Sequence, residues 1–106
     1  MAYKIIYLNE KLPQGYIGMH KLAWEQIYHT SYPYDSNVIL VYKHMNKAKI
    51  KRTLNHEKWE VYLMNELGLP YEEAHQWCNK LESRRGKLNI KIVRNLIINK
   101  QNPHSL

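Results

Sequence analysis

The sequence predicts a small α+β domain, and three observations carry that prediction. A short β-branched and aromatic stretch opens the chain, the continuous apolar run Val38-Ile39-Leu40-Val41-Tyr42 lies near its middle, and apolar residues recur at helical spacing from Trp59 to Leu81. The 106 residues, 44% of them hydrophobic and 24% charged, suffice for one modest core and match ordinary globular usage. Residues 1 to 100 are therefore expected to form a single domain, with 101 to 106 as a frayed tail.

Taken in order, Tyr3 to Leu8 reads as a strand, and Leu12-Pro13-Gln14-Gly15 as the turn after it. From Gly18 to Tyr28 the residues Met19, Leu22, Ala23 and Ile27 fall at helical intervals, which predicts a first helix. The stretch 31 to 37 holds Pro33, Asp35, Ser36 and Asn37 and reads as a loop. Val38 to Tyr42 is apolar on both faces, as a buried central strand requires. A turn near Asn46 is expected to send the chain back through Lys49 to Leu54, closing a hairpin with a basic edge.

Thr53 or Asn55 is the expected cap of the next helix, with Trp59, Tyr62, Leu63 and Leu67 as its apolar face and Gly68 as its end. Pro70 suits the first position of a further helix, where Glu72 and Glu73 favour the positive end and Ala74, Trp77, Cys78 and Leu81 form the buried stripe. Gly86 closes it. Leu88 to Asn99 fits either a strand or a helix, and a helix from about Asn89 is favoured. The architecture expected is thus a strand-helix-hairpin unit, then a helical hairpin and a last helix or strand.

Charge is segregated along the chain, whose formal net charge is +7. Residues 1 to 42 balance to zero. Lys43, Lys47, Lys49, Lys51 and Arg52 follow with no acid among them. Residues 53 to 79 reverse the sign, with Glu57, Glu60, Glu66, Glu72 and Glu73 against Lys58 alone. Lys80, Arg84, Arg85, Lys87, Lys91, Arg94 and Lys100 then face only Glu82. Two basic segments of this kind attract polyanions, and arginine suits bidentate phosphate contact. The residues assigned to nucleic acid are Lys43, Lys47, Lys49, Lys51, Arg52, Lys80, Arg84, Arg85, Lys87, Lys91 and Arg94.

The longest apolar run is too short for a membrane span, and the opening residues lack the parts of a signal peptide. Cys78 is the single cysteine, so no internal disulfide forms and a reducing, cytoplasmic location is expected.

The glycine turn in Leu67-Gly68-Leu69-Pro70, between two helices, resembles that of helix-turn-helix DNA-binding proteins. Glu72 and Glu73 would be repelled by phosphate there, so the contact is expected from the Lys80-to-Lys87 end. The six histidines show no zinc-finger spacing, and His56-Glu57 departs from the H-E-x-x-H pattern because position 60 is Glu. His75 and Cys78 lie one helical turn apart, with Cys78 on the expected core face. Gly15-Tyr16, His20 to Glu25, His44 and Asn46 resemble pieces of HNH homing endonucleases, which would imply a metal-dependent nuclease using His20 or His44. Lys43 stands where a metal ligand would precede the base histidine.

The expectation drawn from these residues is a non-enzymatic nucleic-acid-binding protein, such as a small phage or mobile-element regulator, binding DNA in preference to RNA with no cofactor and no metal site assigned. A phage-type inhibitor or adaptor docking on a host protein is the alternative, suggested by three tryptophans and nine tyrosines.

Overall fold

A computed structural model describes residues 2 to 83 of the chain. Among these residues the sheet has three strands, β1 (Lys4–Leu8), β2 (Gly18–Met19) and β3 (Val38–Tyr42), in the order β1-β3-β2. β3 pairs in parallel with β1, Lys4 opposite Val38 and Leu8 opposite Tyr42, and antiparallel with β2, Met19 opposite Leu40. The central position expected for β3 follows from its composition: Val38, Ile39, Leu40 and Val41 are all buried. A strand with neighbours on both edges and cover on both faces needs apolar side chains in both directions.

Helix α1 (Lys21–Tyr28) lies between β2 and β3 in the chain, and α2 (Lys47–Glu66) and α3 (Tyr71–Ser83) follow as an antiparallel-style hairpin closed by Leu67-Gly68-Leu69-Pro70. Gly68 adopts φ +67°, the left-handed conformation that glycine takes without steric cost, and so ends α2 as expected. Among the described residues no helix is long and apolar enough to cross a membrane.

Among the described residues two apolar clusters stand out in the core. One gathers Leu63, Met64, Leu69, Ala74 and Cys78 between α2 and α3, with Trp59 and Trp77 against it. The other gathers Leu12, Met19, Ala23, Tyr32, Val38 and Leu40 around α1 and the sheet. Tyr71 packs against both. Burial of the large residues in these clusters contributes on the order of 2 kcal/mol each, and that is what holds α1, α2 and the sheet together.

Two expectations are corrected. The first helix does not begin at Gly18: Gly18 and Met19 pair with β3, and His20 is extended and caps α1 by accepting the Ala23 N–H on Nδ1 at 3.3 Å. The basic return strand of a hairpin is absent; residues 47 to 66 are one helix of 20 residues. Asn46 marks its start, because its side-chain oxygen accepts the Lys49 N–H at 2.8 Å. Alanine, lysine and arginine favour helix, and the side chains that α2 buries here, Thr53, Glu57 and Glu60, fall at intervals of four and three. The helix therefore starts well before Thr53. Gly86 as a terminator and the segment 88 to 99 lie outside the described residues.

Candidate metal centre

The middle of α2 turns a polar face inward. Lys49, Arg52, Thr53, His56, Glu57 and Glu60 share one stripe along the helix, and together with Gly18 of β2 and His75 of α3 they line a cavity of about 260 Å³. Close approach of β2 to α2 depends on Gly18: a Cβ there would stand 2.5 Å from Glu57 Oε1 and 2.7 Å from Thr53 Cγ2.

Glu60 is the centre of the arrangement and is only 2% exposed. Its Oε1 lies 2.8 Å from His20 Nε2, while its Oε2 lies 2.9 Å from His56 Nε2 and 3.1 Å from His75 Nδ1. His56 Nε2 and His75 Nδ1 are themselves 3.2 Å apart. Burial alone pushes the Glu60 carboxyl upward, but hydrogen bonds from His20 and His56 oppose it, and the group is held well below the usual carboxylate range.

The histidines divide by tautomer. His20 Nδ1 accepts a backbone N–H, so its proton sits on Nε2 and is donated to Glu60 Oε1. His20 is therefore a donor to the carboxylate and not a ligand, which sets aside the group His20, Glu57 and Glu60 as a cation site even though their atoms lie close together. His56, Glu60 and His75 differ. They present Nε2, Oε2 and Nδ1 to one another from two helices, with edges of 2.9, 3.1 and 3.2 Å. Ligand atoms at about 2.0–2.1 Å from a tetrahedral or octahedral metal stand roughly 2.9–3.4 Å apart, so the triangle fits a divalent cation. Glu57, 5% exposed, lines the same cavity, and its Oε2 is 3.8 Å from His20 Nε2. The Tyr71 hydroxyl lies 3.5 Å from His75 Nδ1; burial, then the nearby Glu60 charge, pushes that phenol upward and keeps it protonated.

Of the residues the sequence assigned to nucleic acid, Lys47, Lys49, Lys51 and Arg52 are exposed on the first two turns of α2, just after the exposed Lys43. The structure brings Lys49 and Arg52 to the wall of the cavity. Lys80, on α3, places its Nζ over the Trp77 ring at 5.0 Å. Arg84, Arg85, Lys87, Lys91 and Arg94 lie outside the described residues. His44 meets the Tyr42 ring edge-on and belongs to neither histidine–glutamate group, whereas His20 belongs to one. Cys78 is buried, its Sγ 3.7 Å from the His56 carbonyl oxygen.

Sequence reasoning did not assemble His56, Glu60 and His75. The i, i+4 spacing of His56 and Glu60 was legible, but His75 reaches them only through the packing of α3 on α2. Compared with protein-family models, with curated proteins and with solved structures, the chain matches none significantly.

Proposed function

We propose that this chain is a divalent-metal-dependent hydrolase whose metal is held by His56, Glu60 and His75. The observation that carries the reading is the convergence of three ligand atoms from two helices beside a buried carboxylate, Glu57, in one cavity. Three protein ligands leave a position for water or substrate, which distinguishes a reactive site from a closed structural one. Two imidazoles and a carboxylate suit zinc. Such an ion supplies a water acidified toward neutrality and polarises the bond to be cleaved.

Glu57 directly follows the ligand His56, the position that carries the general base in helices of H-E-x-x-H pattern. Here Glu60 takes the place of the second histidine at the same i, i+4 spacing. In the hydrolysis, Glu57 accepts a proton from water as the water oxygen bonds to the electrophilic atom. The bond to the leaving group breaks, and the leaving group receives that proton. His20 fixes the Glu60 carboxylate from behind by donating to the oxygen that faces away from the other histidines.

The test is zinc titration of the full chain followed by assay with chromogenic esters. One equivalent should bind, and His56→Ala and His75→Ala should each lose it. Glu57→Gln should keep the metal and lose about 10²–10⁴-fold in turnover. Absence of stoichiometric binding overturns the reading.

A second reading rests on a separate observation: the first two turns of α2 carry Lys47, Lys49, Lys51 and Arg52, with no acidic residue in the first turn. In this reading the chain binds nucleic acid in a reducing, cytoplasmic compartment without chemistry. If about five phosphates are engaged, log affinity falls with log salt at a slope of roughly −4 to −5 on duplex DNA. A flat salt response removes it.

A further inference from the structure

The start of α2 is built against its own electrostatics. A helix N-terminus is the positive end of the macrodipole and favours acids, yet the first turn of α2 has none, while Lys47, Lys49, Lys51 and Arg52 crowd its first six residues. Among the described residues neither Lys49 nor Arg52 forms an ion pair with a carboxylate. Both side chains border the cavity, seven and four residues before His56 on the same stripe of the helix. At about 1.5 Å of rise per residue, their backbones stand roughly 10 and 6 Å along the axis from that of the first ligand. The cavity thus has a cationic end and a histidine–glutamate end, joined by Thr53.

We infer that the cationic end is a subsite for a phosphoryl group, so that the substrate of the proposed metal centre is a phosphorylated molecule or a phosphodiester. This rests on the reading of His56, Glu60 and His75 as metal ligands, and gives that reading its substrate class. Arg52 supplies the planar fork that pairs with two phosphoryl oxygens, and Lys49 adds a point charge beside it. A carboxylate carries one negative charge and would leave the pair only half neutralised, the more so with Lys47 and Lys51 adjacent; a phosphate monoester carries nearly two, and a nucleic-acid backbone offers further charges to the flanking lysines.

The experiment uses the cobalt(II)-loaded full chain, whose visible absorption reports the metal independently of turnover. Phenylphosphonate, benzoate and a single-stranded thymidine octamer are titrated into wild type, Lys49→Ala and Arg52→Ala. The cobalt spectrum should be the same in all three proteins. Phenylphosphonate should bind wild type at least tenfold more tightly than benzoate, and each variant should lose about tenfold to hundredfold, the equivalent of one charge-assisted hydrogen bond. An octamer that binds more tightly than phenylphosphonate identifies a nucleic-acid backbone as the source, and equal affinity identifies a small phosphorylated molecule.

Phenylphosphonate binding that is no tighter than that of benzoate, or that survives both substitutions, overturns the inference. The same titrations on metal-free protein separate the two claims. Phosphonate binding lost in Arg52→Ala without any cobalt spectrum sustains the subsite and refutes the metal centre; a cobalt spectrum without phosphonate binding does the reverse.

Discussion

Replacing His20 tests the arrangement at its hinge. His20 makes two contacts with different consequences: Nδ1 accepts the Ala23 N–H and caps α1, and Nε2–H donates to Glu60 Oε1 at 2.8 Å, with both residues buried. His20→Ala loses both. The cap is worth about 1 kcal/mol, and removal of a donor from a buried carboxylate costs about 1.5–3 kcal/mol. A loss of roughly 2.5–4 kcal/mol is therefore expected against a total stability on the order of 5–15 kcal/mol. His20→Asn retains a good capping oxygen but is too short to reach Glu60, so it should lose only about 1.5–3 kcal/mol. Urea unfolding in chelator measures both values. The metal distinguishes the two roles further: with Glu60 no longer oriented, zinc affinity measured by competition with a chromophoric chelator should fall about 10–100-fold in both variants alike. If His20→Asn binds zinc as wild type does, the bond from His20 Nε2 does not orient Glu60 for the metal and His20 serves only as a cap.

Gly18→Ala should drive a methyl group into Glu57 and Thr53, lowering stability by about 1–3 kcal/mol, and Thr53→Ser in the same chain should restore only part, because Glu57 still meets the new Cβ; thermal unfolding followed by circular dichroism reads both. Asn46→Ala removes the acceptor for the Lys49 N–H and should cost about 1 kcal/mol, measured by urea unfolding, whereas a hairpin turn at Asn46 would predict no helix-specific change. Acid sensitivity of the metal-free chain should carry the Glu60 signature. Its carboxyl is lowered from 4.5 to about 2 in the folded state, so its stabilising contribution is complete above the ordinary value and is lost as pH falls from there toward 2. Glu60→Gln should flatten that part of the stability–pH curve.

What the sequence made legible and what it concealed have one physical origin. β1 and β3 were readable as short β-branched and apolar runs, the α3 stripe of Ala74 and Cys78 because it buries apolar side chains at helical period, and the Gly68 stop because it needs a special backbone conformation. The stretch of α2 before Leu63 was not, since the residues it buries are Thr53, Glu57 and Glu60. A helix that buries polar groups shows no apolar period, and the alternation of lysines with Ala48 and Ile50 imitates a strand instead. His20 was hidden in a similar way. Its capping role depends on a side-chain nitrogen, while Met19 beside it, spaced like a helical residue, belongs to a strand. The misread stretches and the candidate site are thus largely the same residues, as expected where local pattern yields to chemistry.

The proton on His20 Nε2 also decides when such a centre can exist. His56, Glu60 and His75 lie within 20 consecutive residues, a short enough span for a local metal-nucleated hairpin. The carboxylate, however, is held in place from the other half of the chain, by a residue 40 positions earlier. The carboxylate is fully oriented only after α1, the sheet and the α2–α3 pair have docked, unlike the small zinc domains that fold because metal arrives. The ion would be a late passenger on a finished scaffold: chelation should empty the site and leave the chain folded, and the rate of metal capture should follow the rate at which the two halves come together.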